Sequence, residues 1–136
     1  MKIIFTLFIL FCSASLFSQK SDDSKIIITL NDSTGIYNKV KYSLVYYDFI
    51  VKDNGNRDTL TTYSIEYDGI YCVARAIIKG NSVTLTGVYG LKKIDGWGYT
   101  QSPKGYDQVI YYKGSNSWKL LMQVANRMNG QISYGK

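Results

Sequence analysis

Apolar and polar positions alternate with a period of two along most of residues 36–92, and three two-residue turn signals cut that stretch into four segments. The signals are Asn54–Gly55, Asp68–Gly69 and Gly80–Asn81, all residues that tolerate positive φ in tight hairpins. A turn of fixed length also fixes which residues face one another across it. The first turn sets Tyr42, Leu44, Tyr46, Asp48 and Ile50 opposite Tyr67, Ile65, Tyr63, Thr61 and Thr59. The second sets that row opposite Ile70, Cys72, Ala74, Ala76 and Ile78, and the third extends it to Leu91, Tyr89, Gly87, Leu85 and Val83. All three keep apolar residues on one face, which predicts a four-stranded antiparallel meander over residues 36–92. The other face carries Val45, Tyr47, Phe49, Leu60, Val73, Ile77 and Val88 among Lys41, Glu66, Arg75 and Thr86. It is less polar than a solvated sheet, and predicts partial cover on both sides or an apolar outer patch around Phe49, Leu60 and Ile77.

The flanks read as shorter elements. Lys25–Leu30 is a strand, closed by the turn signal Asn31–Gly35. Tyr106–Lys113 is another strand, and Gly114–Ser117 turns the chain into Trp118–Ala125. Alternation makes that last segment a strand, while Trp118, Leu121, Met122 and Ala125 also fit a helix from Ser117 to Met128, so both readings stand. Asn129–Gly130 turns into a final strand through Tyr134.

Composition agrees with strands: thirteen tyrosines, many Val, Ile and Thr, and a single proline, Pro103. The resulting fold class is all-β, an antiparallel up-and-down meander forming a small barrel, with a β-sandwich as second choice. The row of small residues Ala74, Ala76 and Gly87 would let the sheet bend or would leave internal room. Such a barrel is similar in general shape to the lipocalins, and Gly35–Ile36–Tyr37 resembles the opening motif of those barrels over three residues. Tyr37 stands where that motif carries tryptophan, and no family is assigned on it.

The N-terminus bears on location. Lys2 precedes an apolar run, Ile3–Phe11, broken only by Thr6, and small residues lead to Ser18 before polar Gln19. This is the pattern of a secretory signal peptide over residues 1–18. The run is too short for a membrane span, which needs about 20 apolar residues, so none is expected after its removal. Phe11 before Cys12 is too large for a lipoprotein cleavage site. The expected organisation is a signal peptide (1–18), a disordered polar leader (19–24) and a single β domain (25–136), exported to the periplasm or secreted. Cys72 is then the last remaining thiol, so no internal disulfide can form. The formal charge of +6 is spread without a basic block, and no nucleic-acid partner is expected.

Histidine is absent, which removes Ser–His–Asp and Cys–His catalysis and histidine-ligated zinc. Cys72 lies on the apolar face, where a thiol packs rather than reacts. The segment Asp53–Asp58 has oxygen ligands suited to calcium but lacks the spacing and distant glutamate of a calcium loop, and a turn explains it. No catalytic residue, metal or cofactor is therefore assigned. Asp48 sits on the predicted apolar face between Tyr46 and Ile50, where a carboxylate must find donors or meet a ligand. Tyr46, Tyr63, Asp48 and Thr61 could line the polar end of an interior. The Gly- and Lys-rich segment from Lys92 to Tyr106 presents Trp97, Tyr99 and Tyr106, rigid rings suited to contact surfaces. These seven residues are the candidate ligand-binding set.

The expectation is an exported, non-enzymatic binding or interaction protein whose partner is a small molecule, a glycan or a protein. One alternative is an envelope assembly component that pairs through sheet edges or the outer patch. The other is a carboxylate-based glycan hydrolase built on Asp48 and a second acid.

Overall fold

The computed structural model describes residues 18–94, 96, 100–101, 105–112 and 114–136. It is mostly β: seven strands form one antiparallel sheet, accompanied by two short helices. In chain order these are β1 (Lys25–Thr29), α1 (Ile36–Tyr46), β2 (Thr59–Thr61), β3 (Ile65–Tyr67), β4 (Ile70–Lys79) and β5 (Ser82–Leu91). There follow β6 (Lys93–Ile94), β7 (Thr100–Gln101), β8 (Asp107–Gln108), α2 (Asn116–Arg127) and β9 (Gln131–Gly135). The sheet runs β2–β4–β5–β1–β9, with β3 also on β4 and β8 also on β5, while β6 and β7 pair separately. The antiparallel β class is as the alternation implies, but the sheet does not close into a barrel.

The long β4–β5 hairpin has the register that Gly80–Asn81 demands. Ile78 faces Val83, Ala76 faces Leu85, Ala74 faces Gly87 and Cys72 faces Tyr89. Asp68–Gly69 likewise sets Tyr67 opposite Ile70 and Ile65 opposite Cys72. Beyond that point the register slips by one: Thr61 pairs with Arg75, Leu60 with Ala76 and Thr59 with Ile77. Three residues, Thr62–Ser64, stand against two, Val73 and Ala74, which is a β-bulge. The slip turns Leu60 and Thr62 inward and leaves Tyr63 exposed. The Thr62 hydroxyl accepts the Ala74 N–H at 3.0 Å and the Thr62 N–H donates to the Ala74 carbonyl at 3.0 Å, so the side chain replaces a ladder carbonyl that the bulge displaces.

Residues 36–46 differ from the predicted strand. Their buried positions, Ile36, Val40, Ser43 and Leu44, fall at helical spacing, and Gly35 enters the helix with φ 68°. The Gly35–Ile36–Tyr37 motif therefore starts a helix and opens no barrel strand. α1 ends in a left-handed Schellman cap: Asp48 has φ 65°, its N–H donates to the Val45 carbonyl, and the Phe49 N–H donates to that of Leu44. Phe49 and Leu44 are both fully buried, the apolar contact that accompanies this cap. Only Val51, bridging Thr62, and its neighbours remain of the predicted first strand of the meander.

At the segment that fitted both a strand and a helix, the helix prevails. α2 buries Ser117, Trp118, Leu120, Leu121, Val124 and Ala125 along one stripe, and Ser115 caps it by accepting the Trp118 N–H. Ala74, Ala76 and Gly87 neither bend a barrel nor leave room; they let α2 lie close on the sheet. A Cβ at Gly87 would stand 3.0 Å from Leu121 Cδ1 and 3.3 Å from Val109 Cγ2. Gly130 allows a closer approach still, since a Cβ there would come within 2.5 Å of Ile28 Cγ2. The core thus lies between one sheet face and the two helices.

Residues 19–24, expected to be a disordered leader, form a turn on the body. The Asp23 carboxylate, almost wholly buried, accepts the Lys20 N–H at 2.7 Å, the Ser24 N–H donates to Gly135, and the Tyr111 N–H donates to Asp23. The signal-peptide reading rests on residues that, up to residue 17, lie outside those described. Among the described residues no helix is long and apolar enough to cross a membrane.

Candidate binding groove

Of the seven candidate residues, four had been placed around an interior. The structure does not gather them there: Tyr46, Tyr63 and Asp48 are exposed and Thr61 is half-buried. The helix removes Tyr46 and Asp48 from the sheet face, and the bulge turns Tyr63 outward. The Asp48 carboxylate is exposed and needs no buried partner; the residue stands at the left-handed turn after α1. Both tyrosines instead carry cations, with the Arg127 guanidinium 3.5 Å from the Tyr46 ring centre and the Lys52 ammonium 5.0 Å from that of Tyr63. The expected outer patch is also absent, since Phe49 and Leu60 belong to the core.

Trp97 and Tyr99 lie outside the described residues. Tyr106 is exposed and its hydroxyl donates to Ser64 Oγ at 3.1 Å, which ties the return of that loop to the bulged edge. The base of the same loop borders a groove of about 360 Å³. Its walls are Ile70 and Leu91 at the ends of β4 and β5, Tyr89, the Ile110–Tyr112 segment and the start of α2. Leu91, Ile110 and Tyr112 are 64%, 42% and 62% exposed, a concentration of free apolar surface at one end of the sheet. The volume lies within the roughly 300–1,000 Å³ of small-molecule sites.

Hydrogen bonds hold the walls in place. The Lys92 N–H donates to Gly69, Val109 donates to Gly87, and Asn116 Nδ2 donates to Asp68 Oδ2 at 2.6 Å. The Glu66 carboxylate pairs with Lys92 beside the groove and raises the lysine pKa, chiefly by accepting its hydrogen bond. Among the described residues no Asp or Glu lines the groove itself. Its chemistry is apolar contact with hydroxyls and amides from Ser115–Ser117 at the rim, suited to holding a ligand rather than to acid–base work.

Beyond Tyr112, Gly114 and Ser115 a second cleft of about 400 Å³ runs between α2 and Tyr111. Trp118 stands there, edge-on to Tyr111 at 5.7 Å and tilted against Tyr134 at 6.2 Å. Gln19 closes its far side, with Nε2 3.7 Å from Met122 Sδ.

The segment Asp53–Asp58 is a chain of turns in which Asp53, Asn54 and Asn56 each accept the N–H two residues on. Burial pushes the Cys72 thiol up to about 12, in keeping with a packing role.

Tyr106 does not line this groove, and sequence reasoning did not single out Leu91, Ile110 and Tyr112, which do. A signal was present: Val109–Tyr112 is an unbroken apolar run, and a pleated segment cannot turn all four inward. Comparison with known proteins supplies no relative: no family model, no curated protein and no solved structure matches this chain.

Proposed function

We propose that the protein is an exported, non-enzymatic binding protein that takes its ligand in the groove at the end of β4 and β5. Export rests on the signal pattern of residues 1–18. The observation that carries the binding role is the cluster of Leu91, Ile110 and Tyr112, three large apolar side chains left in water around one groove. The described residues of the lining include no carboxylate, which favours this reading over glycan hydrolysis, a reaction that needs two acids in a shared cleft.

The test is a thermal-shift screen of small molecules, oligosaccharides and envelope peptides against the protein and the double variant Leu91→Ser/Tyr112→Ser. A ligand at 100 times its Kd adds about 2.7 kcal/mol, several degrees in Tm. The expected result is a shift that the double variant loses while its own unliganded Tm stays within about two degrees. A ligand whose shift survives the double substitution would move the site elsewhere.

A second reading, an assembly component, is favoured by one observation. Tyr42, Val45 and Tyr46 form an exposed stripe on α1, with Ile50 and Tyr63 exposed on the adjoining edge. Concentration-dependent sizing that Tyr42→Ser/Ile50→Ser abolishes would support it.

A further inference from the structure

Two features of the second cleft have no explanation in the binding role. Trp118 is only 3% exposed, and its indole Nε1–H meets no acceptor among the described residues. A buried donor left unpaired costs about 1–3 kcal/mol, and native interiors rarely keep one. The residue that closes the same cleft, Gln19, is the one that signal removal after Ser18 would make the N-terminus. Among the described residues its side-chain amide makes one long contact, to a thioether, a weak acceptor.

An N-terminal glutamine there would carry an α-ammonium at the edge of a cleft walled by Tyr111, Trp118 and Met122, with no Asp or Glu among the described residues that line it. Lys20 gives no slack, because its N–H is held by the buried Asp23 carboxylate at 2.7 Å. Cyclisation removes the charge. In its neutral form the α-amine attacks Cδ of its own side chain, the N–Cδ bond forms, the Cδ–Nε2 bond breaks, and ammonia leaves with the transferred proton. No oxidant or second substrate is needed. The product is a compact, uncharged lactam with one carbonyl acceptor and one N–H donor.

We propose that Gln19 is a modification site: it becomes pyroglutamate after export, and the lactam lodges in the α2 cleft with its carbonyl accepting the Trp118 indole N–H. The inference rests on the export reading and not on the identity of any ligand.

The experiment expresses the full precursor with its own leader in an exporting bacterium and takes the intact mass and N-terminal peptide of the exported protein. The expected species begins at Gln19 and is lighter by one ammonia. A chain that begins at another residue overturns the proposal through its cleavage premise. A chain that begins at Gln19 but keeps a free amine after days at neutral pH overturns the cyclisation with that premise intact. The lodging has its own readout, hydrogen exchange at the Trp118 indole measured by NMR. Exchange should be about tenfold slower in the cyclised protein than in Gln19→Ser, which keeps a free amine at the same place. Equal rates in the two proteins would overturn the contact.

Discussion

Replacing Thr62 by valine separates a hydrogen bond from a shape. The two side chains are nearly isosteric, and Thr62 is fully buried against the core at the β-bulge. Its Oγ1 is the acceptor for the Ala74 N–H at 3.0 Å, at a point where the extra residue of the bulge leaves no backbone carbonyl in position. Valine would leave that N–H buried and unpaired, a cost of about 1–3 kcal/mol. The added methyl returns up to about 0.8 kcal/mol of apolar burial, so the net loss is about 1–2 kcal/mol. Serine keeps the acceptor and removes a methyl, at a cost of about 0.5–1.5 kcal/mol, comparable to Ile→Val in a core. Urea unfolding should show both losses at unchanged slope, with the valine midpoint lower by about 0.5–1.5 M. Amide exchange supplies the local check: the Ala74 N–H should exchange faster in the valine variant by more than the global loss explains, and not in the serine variant. A valine variant within about 0.5 kcal/mol of wild type, with Ala74 still protected, would refute the idea that this hydroxyl replaces a ladder carbonyl.

Gly87→Ala places a methyl 3.0 Å from Leu121 Cδ1 and from the Val73 carbonyl, and should cost about 1–3 kcal/mol in urea unfolding as α2 is pushed off the sheet. Asp48→Gly should raise stability by up to about 1 kcal/mol, because glycine accepts φ 65° without the strain an L-residue carries; a loss of stability would restore a bonding role to that carboxylate. For Cys72 the thiol is raised from 9.0 to about 12 by burial, so the folded state holds the proton more tightly than the unfolded chain. Its contribution is full below pH 9 and falls as pH rises through the window from 9 to 12. Measured as the difference between wild type and Cys72→Ala, the loss should be about 1.4 kcal/mol between pH 8 and pH 10, with no labelling of the folded thiol by maleimide at pH 8.

The sequence by itself determined whatever local chemistry could fix. Gly80–Asn81 and Asp68–Gly69 specify their hairpins because a two-residue turn leaves one register, and alternation confirms it over ten residues of β4 and β5. The β1 and β9 strands and the inward-facing thiol of Cys72 were legible from the same alternation and neighbouring turns. Tertiary structure decided the rest. Residues 36–46 satisfy both periods, since Val40 and Leu44 recur at four residues, which is even for a strand and a near-turn for a helix. Burial broke the tie: Ile36, Val40, Ser43 and Leu44 fall on one side of a helix and join the core. The bulge at Thr62–Ser64 leaves no mark between two well-formed turns, yet it exchanges inward and outward residues along all of β2. The groove joins Ile70, Leu91, Ile110 and Tyr112 from separate parts of the chain, and no local pattern records a neighbourhood that exists only once the sheet and α2 have packed together.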